Sequence, residues 1–351
     1  MNYRNLSSLV SFFMVAVFAS CSTDSSLPTS AVNDAVASSA GKGGIIAAVA
    51  NPVIALEGGY QQGNKTYYSI AVMNADGSNL KHLIPTQGGT SAPMNPTWSH
   101  NGTQISYLAS NAIKRMNVSV VNGVPTASSV TTMYSWTSAD SIGVFMQAWS
   151  SVGNEVAFPK RQYNASIPVA QRYCKIMVLP TTGGSPTELY SENGVAMYGI
   201  TYSPDGSKIA FTTSNLATSY SERKIKVISR SDGSLLASYT LDTTVANGTG
   251  QIMDWSRSGA NKLVFRSNSK NGTTNGPNTI FTFDLDAANP TPVQTGIPTS
   301  QEAFSASWSP DNTKLVYPSN GGGGTRTYTF SSNSNTQINA TVSSYRINWK
   351  R

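Results

Sequence analysis

Five aromatic residues recur along the chain in the same company and at nearly the same interval. Trp98-Ser99-His100-Asn101-Gly102 leads into Ile105-Ser106-Tyr107, and Trp149-Ser150-Ser151-Val152-Gly153 leads into Val156-Ala157-Phe158. Tyr202-Ser203-Pro204-Asp205-Gly206 leads into Ile209-Ala210-Phe211, Trp255-Ser256-Arg257-Ser258-Gly259 into Leu263-Val264-Phe265, and Trp308-Ser309-Pro310-Asp311-Asn312 into Leu315-Val316-Tyr317. The aromatics stand 51, 53, 53 and 53 residues apart. A repeat of that length builds propellers or solenoids, in which each unit buries its apolar face only against its neighbours. It therefore overrides the two domains that 351 residues would otherwise suggest.

Each repeated position has a physical reason. A fully buried aromatic wedged between units contributes roughly 4–5 kcal/mol by area, as an upper bound. Four places on, Gly (Asn312 in one copy) suits a tight turn with positive φ. Pro204-Asp205 and Pro310-Asp311 add a fixed φ and a local side-chain acceptor. The apolar-small-aromatic triplet after the turn has strand composition. In the fourth copy the triplet starts one residue late, which predicts a bulge or longer turn near Ala260. Trp136 lies outside this register and is expected at the surface.

A second strand family lies between the aromatics: Ile70-Ala71-Val72-Met73, Ile176-Met177-Val178-Leu179, Ile225-Lys226-Val227-Ile228, Ile280-Phe281-Thr282-Phe283 and Tyr328-Thr329-Phe330. Turns such as Asp76-Gly77 and Asp232-Gly233 follow it and lead to a short fourth strand. Four strands in about fifty residues make one propeller blade. Tyr345-Arg346-Ile347-Asn348-Trp349 has the look of an inner strand with its anchor, while Val53-Ile54-Ala55-Leu56 looks like a triplet without one. Joined, they complete a sixth blade and close the ring, leaving no ring end unpaired. The predicted fold is all-β: a six-bladed propeller over residues 51–351, with anchors Trp98, Trp149, Tyr202, Trp255, Trp308 and Trp349.

The N-terminal fifty residues read differently. Arg4 precedes an apolar run at 10–19, half the length needed to span a bilayer, and Phe18-Ala19-Ser20-Cys21 follows. This resembles the lipobox of bacterial lipoproteins, which makes residues 1–20 a signal peptide and Cys21 the lipidated first residue of the mature chain. Residues 21–50 are rich in Ser and Ala and read as a tether, although 44–49 also fit a first strand. With Cys21 acylated, Cys174 has no disulfide partner and is expected as a buried, inert thiol.

The Trp-Ser-Pro-Asp-Gly turn followed by Ile-Ala-Phe, together with the Ile-x-Val strand and its Asp-Gly turn, resembles the TolB-type WD-like β-propeller family over residues 52–351. The resemblance implies the propeller fold; together with the lipobox it leads to the expectation of an outer-membrane lipoprotein facing either the periplasm or the cell surface. Members of this type serve as envelope binding proteins and as gating domains of peptidases.

The inventory of reactive residues is thin. His82 and His100 have no partner at metal-ligand spacing, and no Gly-x-Ser-x-Gly elbow occurs. The recurrent Asp-Gly pairs read as turns, and Asp284-Leu285-Asp286 as solvated edge carboxylates rather than a cation site. No metal, cofactor or catalytic residue is assigned, and a monomer is expected.

Charge says more. Lys and Arg number 24 against 17 Asp and Glu. Lys65, Lys114, Arg115, Lys160, Arg161, Arg172, Arg223, Lys224, Arg266, Lys270 and Arg326 fall in the loops that leave the triplet strand. The resembled topology puts these loops on one face, opposed by Glu57 and Glu222, with Tyr60, Tyr163 and Tyr220 interleaved. The pattern fits solvated loops and a docking face for an anionic or carbohydrate partner alike. A secretory signal argues against nucleic acid.

The residue four before each anchor forms a column: Met94, Phe145, Tyr198, Gln251, Phe304 and Tyr345. Phe145 and Phe304 are expected to pack between blades, whereas Tyr198, Gln251, Tyr345 and the adjacent Arg346 are candidates for a channel mouth. Arg346 and Asp254 are charges on inner strands and so require partners. The resulting expectation is a non-enzymatic envelope lipoprotein that binds protein or glycan through its basic face. The alternative is a propeller glycosidase or lyase, which a pocket holding two or three carboxylates would favour.

Overall fold

A computed structural model describes residues 51–87, 92–137, 140, 142–217, 222–241, 251–257, 259–268, 277–319, 323–341 and 344–351. Residues 1–50, which hold the expected signal segment, Cys21 and the expected tether, lie outside the described residues, as do Tyr220 and Lys270.

Six four-stranded antiparallel blades form the propeller, as the repeat requires. Blade 1 runs outward from Ile347–Trp349 through Ile54–Gln62 and Lys65–Met73 to the short pieces Lys81–His82 and Thr86–Gln87. Blade 2 comprises Met94–Trp98, Gln104–Ala109, Ala112–Val121 and Val124–Ser135. Blade 3 comprises Ala148–Trp149, Glu155–Gln162, Tyr173–Pro180 and Thr187–Asn193, and blade 4 Val195–Tyr202, Lys208–Asn215, Arg223–Ser229 and Leu235–Thr240. Blade 5 comprises Gln251–Trp255, Lys262–Asn268, Asn278–Asp284 and Pro292–Gln294, and blade 6 Ser307–Trp308, Lys314–Pro318, Thr325–Thr329 and Ser334–Asn339. The ring closes as the sequence predicts: Ile54 pairs with Trp349, Ala55 with Asn348 and Leu56 with Ile347.

The core lies at the seams. Each of six hydrophobic clusters joins two neighbouring blades, and one of them joins Val316 of blade 6 to Ile54, Leu56 and Trp349 of blade 1. This explains the large-small-large triplet. Alternate residues of a strand face opposite sides, so Ile209 and Phe211 face the seam with blade 3 while Ala210 faces blade 5. The small middle residue leaves room for the next anchor: Ala210 shares a cluster with Trp255, Ala157 with Tyr202, Ala55 with Trp98. The remaining anchor that is not Trp has its own reason. The Tyr202 hydroxyl donates to Glu155 Oε1 across the seam at 3.0 Å, and Arg230 holds that carboxylate through two further bonds.

The serine after each of the five anchors ties the turn. Ser99, Ser203 and Ser309 Oγ donate to the side chain of Asn101, Asp205 or Asp311 and accept the first N–H of the next strand at 2.9–3.0 Å. The fourth turn is one residue longer: Ser256 N–H reaches Lys262 O, where Ser203 N–H reaches Lys208 O. The Asp-Gly turns have a second role. Gly77 and Gly233 have φ of 83° and 73°, and a Cβ there would lie 1.9 Å from Ile338 O and 1.8 Å from Leu189 O of the adjoining blade. Trp136 departs from expectation: it is half-buried and packs with Tyr134 against the blade 2–3 cluster. Cys174 is fully buried, and burial pushes its thiol up to about 11.

Candidate functional site

Apart from one parallel bridge between Gly199 and Ile252, which joins the inner strands of blades 4 and 5, inner strands have a sheet neighbour on one side only, so their other edge must be satisfied across the channel wall. Side chains do this. Trp98 N–H donates to Asn348 Oδ1 at 2.9 Å, Trp308 N–H to Asp254 Oδ2 at 3.0 Å and Trp349 N–H to Ser307 Oγ at 2.9 Å. In each case the residue just before one anchor accepts from the anchor of the next blade. The channel inside this ring holds about 60 Å³, room for a few waters, since one needs roughly 10–15 Å³ of such space.

At the end nearest the tight turns the channel is closed by charge. Asp254 is buried and accepts from Trp255 N–H, Ser307 Oγ, Trp308 N–H and Arg257 Nη1, the last at 3.0 Å. Arg351 Nη2 adds an ion pair at 3.4 Å. Burial pulls the Asp254 carboxyl upward, but the two guanidiniums and the hydrogen bonds hold it below its ordinary value. Arg257 also reaches Trp255 O, Trp308 O and Trp349 O, and Arg351 reaches Ser151 Oγ and Tyr202 O. Five blades thus meet on three side chains. Asp254 and Arg346, the inner-strand charges noted in the sequence, do not pair with each other.

Arg346 lies at the opposite end, where the second and third strands of each blade are joined. Its Nη2 donates to Gln251 Oε1 at 2.9 Å and its Nη1 meets Met253 Sδ at 3.3 Å, a weak acceptor. Gln251 is buried, and its amide faces Met146 Sδ at 3.8 Å. Glu57 accepts Asn95 N–H at 3.0 Å; burial raises its carboxyl despite the attraction of Arg346. Arg266, half-buried opposite Gln251 in the sheet, lies 5.6 Å from the Phe304 ring, which packs on Tyr345 at 5.8 Å. Burial, with repulsion from Arg346, pushes Arg266 down to about 9. Tyr198 stands beside Arg223. Of the expected mouth residues, Gln251, Tyr345 and Arg346 therefore gather with Arg266. Phe145 does not pack in a seam: it is 49 % exposed and meets Tyr163 edge-on. It lies one residue beyond the blade 2–3 cluster that takes Val144.

The basic residues lie on strand ends rather than in loops, because the second and third strands run past the triplets. Lys65, Lys114, Arg115, Lys160, Arg161, Arg223, Lys224, Arg266 and Arg326 are all within strands, at the end where the second and third strands join. Every blade contributes at least one. Apart from exposed Lys65 they are half-buried. Lys224 pairs with Glu222 at 2.9 Å. Arg172 is spent on its own loop, donating to Ile167 O at 2.9 Å. Among the described residues no carboxylate is in ion-pair contact with Arg115, Arg266, Arg326 or Arg346.

The remaining candidates are accounted for locally. His82 stacks at 4.2 Å on Tyr60, and burial brings it down to about 4, so it is neutral. No group of three metal-ligating side chains occurs among the described residues. Asp284 pairs with Lys262, and Asp286 accepts from Asn261. Asp286 shares with Asp205 an open groove of about 470 Å³ between blades 4 and 5 on the turn face. Hydrogen bonds from Ser203 and Ser207 hold Asp205 at about 2, the state of a turn carboxylate rather than a proton donor.

Arg257 and Arg351 escaped the sequence reading. The signal for Arg257 was its place in the turn, where the other copies carry His100, Ser151, Pro204 and Pro310.

These features define a closed six-bladed β-propeller with a plugged channel and a basic mouth. No protein-family model and no curated protein matches the chain. Solved structures share its fold. A putative TolB from Agrobacterium tumefaciens is 14 % identical with a TM-score of 0.53, covering 84 % of this chain and 91 % of that one. An oligogalacturonate lyase in complex with manganese is 14 % identical with a TM-score of 0.51, covering 82 % and 85 %. A chain of a nidogen/laminin complex is 13 % identical with a TM-score of 0.50, covering 85 % and 98 %. At such identities the likeness concerns the fold alone.

Proposed function

We propose that the protein is a non-enzymatic binding scaffold of the bacterial envelope, tethered by lipid on Cys21, whose basic mouth docks an anionic protein or glycan. The observation that carries this reading is the placement of the basic residues: all six blades contribute Lys or Arg to the same end of the ring. Solubility alone would not require cations to be half-buried around one channel mouth. Their charge raises the local concentration of an anionic partner and steers its approach.

Envelope extracts passed over the purified domain test this reading. Lys65→Glu/Lys114→Glu/Lys160→Glu should lose the captured partner. Lys208→Glu/Lys262→Glu/Lys314→Glu, the same reversal on the turn face, should keep it. Equal capture by both variants would overturn the docking face. The tether has its own test: Cys21→Ala should move the protein from the membrane to the soluble fraction, since stable anchoring needs acyl chains.

A glycosidase or lyase would have to draw its acid from Asp286 in the groove between blades 4 and 5, since Asp205 is tied to its turn. An enzyme of that kind would lose activity on acidic or neutral glycans in Asp286→Asn, whereas the binding scaffold has no such activity to lose.

A further inference from the structure

The mouth carries a charge imbalance that the fold itself does not use. Arg257 and Arg351, at the far end of the channel, share the carboxylate of Asp254 and cap carbonyls of four strands. Arg266 and Arg346 have nothing comparable. Arg346 spends its donors on an amide and a thioether. Arg266 has no carboxylate partner among the described residues: its guanidinium lies over the Phe304 ring at 5.6 Å, and its Nε, like that of Arg257, is shut away from solvent without an acceptor. A charged group taken out of water without a counter-charge is costly, and a fold keeps it where an anion completes it.

We infer that this mouth is a carboxylate site for a sugar acid: the carboxylate lies between Arg266 and Arg346, and the sugar ring rests against Phe304 and Tyr345. The inference rests on the reading of this end as the docking face and names one chemical group within it. Three features choose the ligand class. The guanidinium fork matches a planar carboxylate through two parallel N–H···O bonds. The pair lies within a ring of further Lys and Arg from all six blades, so the field there suits an anion, and the planar fork with the neighbouring rings favours a sugar carboxylate over a tetrahedral phosphate. Phe304, beside Arg266, and Tyr345, packed on Phe304, give an apolar surface to the ring that carries the acid, and the buried amide of Gln251 fixes Arg346 in place.

Isothermal titration of the full chain with D-glucuronate, D-glucose, inorganic phosphate and N-acetylglutamate amide tests it. Glucuronate should bind and glucose should not. Arg266→Gln should weaken glucuronate about tenfold or more, as expected for losing charge-assisted hydrogen bonds. Arg266→Lys should recover part of that loss, and unchanged melting of both variants would show that they fold. Glu57→Gln, which removes the competing carboxylate, should bind at least as tightly as the natural chain. Tighter binding of phosphate would overturn the assignment to a carboxylate. Equal binding of N-acetylglutamate amide would overturn the role given to the sugar ring. No glucuronate binding at all would overturn the site, and capture of an envelope partner lost only in Lys65→Glu/Lys114→Glu/Lys160→Glu would then show that the docking face stands without it.

Discussion

Arg351 Nη1 donates to Ser151 Oγ at 2.7 Å, joining residues 200 positions apart across the channel. The contact sits beside the pairing of Trp349 with Ile54, so the last residues of the chain hold three places at once: the edge of blade 1, the seam with blade 6, and the turn of blade 3. Removing residues 344–351 should therefore weaken every blade. Hydrogen exchange on that truncated chain is expected to show lost protection throughout, including the strands of blades 3 and 4. Loss confined to blades 1 and 6 would mean that the blades stack without depending on closure.

Asp254→Asn should cost about 3–5 kcal/mol, the usual effect of leaving buried guanidiniums without their carboxylate. It should also change the response to acid. The folded Asp254 carboxyl lies below its ordinary value, so its contribution is fully present above the unfolded value of about 3.9 and is lost as pH falls through the folded one. Urea midpoints of the natural chain should fall between pH 5 and pH 2 more steeply than those of Asp254→Asn. Parallel slopes would mean that the carboxylate is not held ionised by Arg257 and Arg351.

The anchors differ in what they bury. Trp255→Ala should cost about 3–5 kcal/mol in urea titrations, because Trp255 is almost fully buried in the blade 4–5 seam. Trp136→Ala, at a half-buried site, should cost less. Tyr202→Phe keeps the ring and removes only the donor to Glu155, so about 1.5–3 kcal/mol is expected. No loss in Tyr202→Phe would mean that the cross-seam bond to Glu155 is not formed in solution.

The fold was legible because its determinants are local and repeated. A residue such as Trp255 announces its seam by its neighbours Ser256 and Gly259; the Ser follows all five anchors and the Gly recurs in four of the five copies. Even the small Ala210 between Ile209 and Phe211 carried the packing rule, although its cause, the facing Trp255, lies 45 positions on. The channel ends were not legible in the same way. Asp254, Arg257, Arg351 and Ser151 converge from separate blades, and nothing in their spacing says so. Arg346 was visible as a charge out of place on an inner strand, but its neighbours Gln251 and Arg266 come from blade 5, two blades away around the ring. The basic residues were found in the sequence as loop residues; the strands extend further than the triplets, which turns Arg115, Arg266 and Arg326 into half-buried strand side chains.

The central claim is a division of labour between two arginine pairs, one closing the ring and the other left for a ligand. Thermal melting of Arg257→Gln and Arg266→Gln, each with and without glucuronate, tests it most directly. Arg257→Gln should melt well below the natural chain, since Asp254 loses its nearest partner and the carbonyls of Trp308 and Trp349 lose their donor. Arg266→Gln should melt at or above the natural temperature, because it removes a charge with no ionic partner, and should no longer be stabilised by glucuronate. A fall in Arg266→Gln as large as that in Arg257→Gln, or stabilisation by glucuronate that survives the loss of Arg266, would contradict the account.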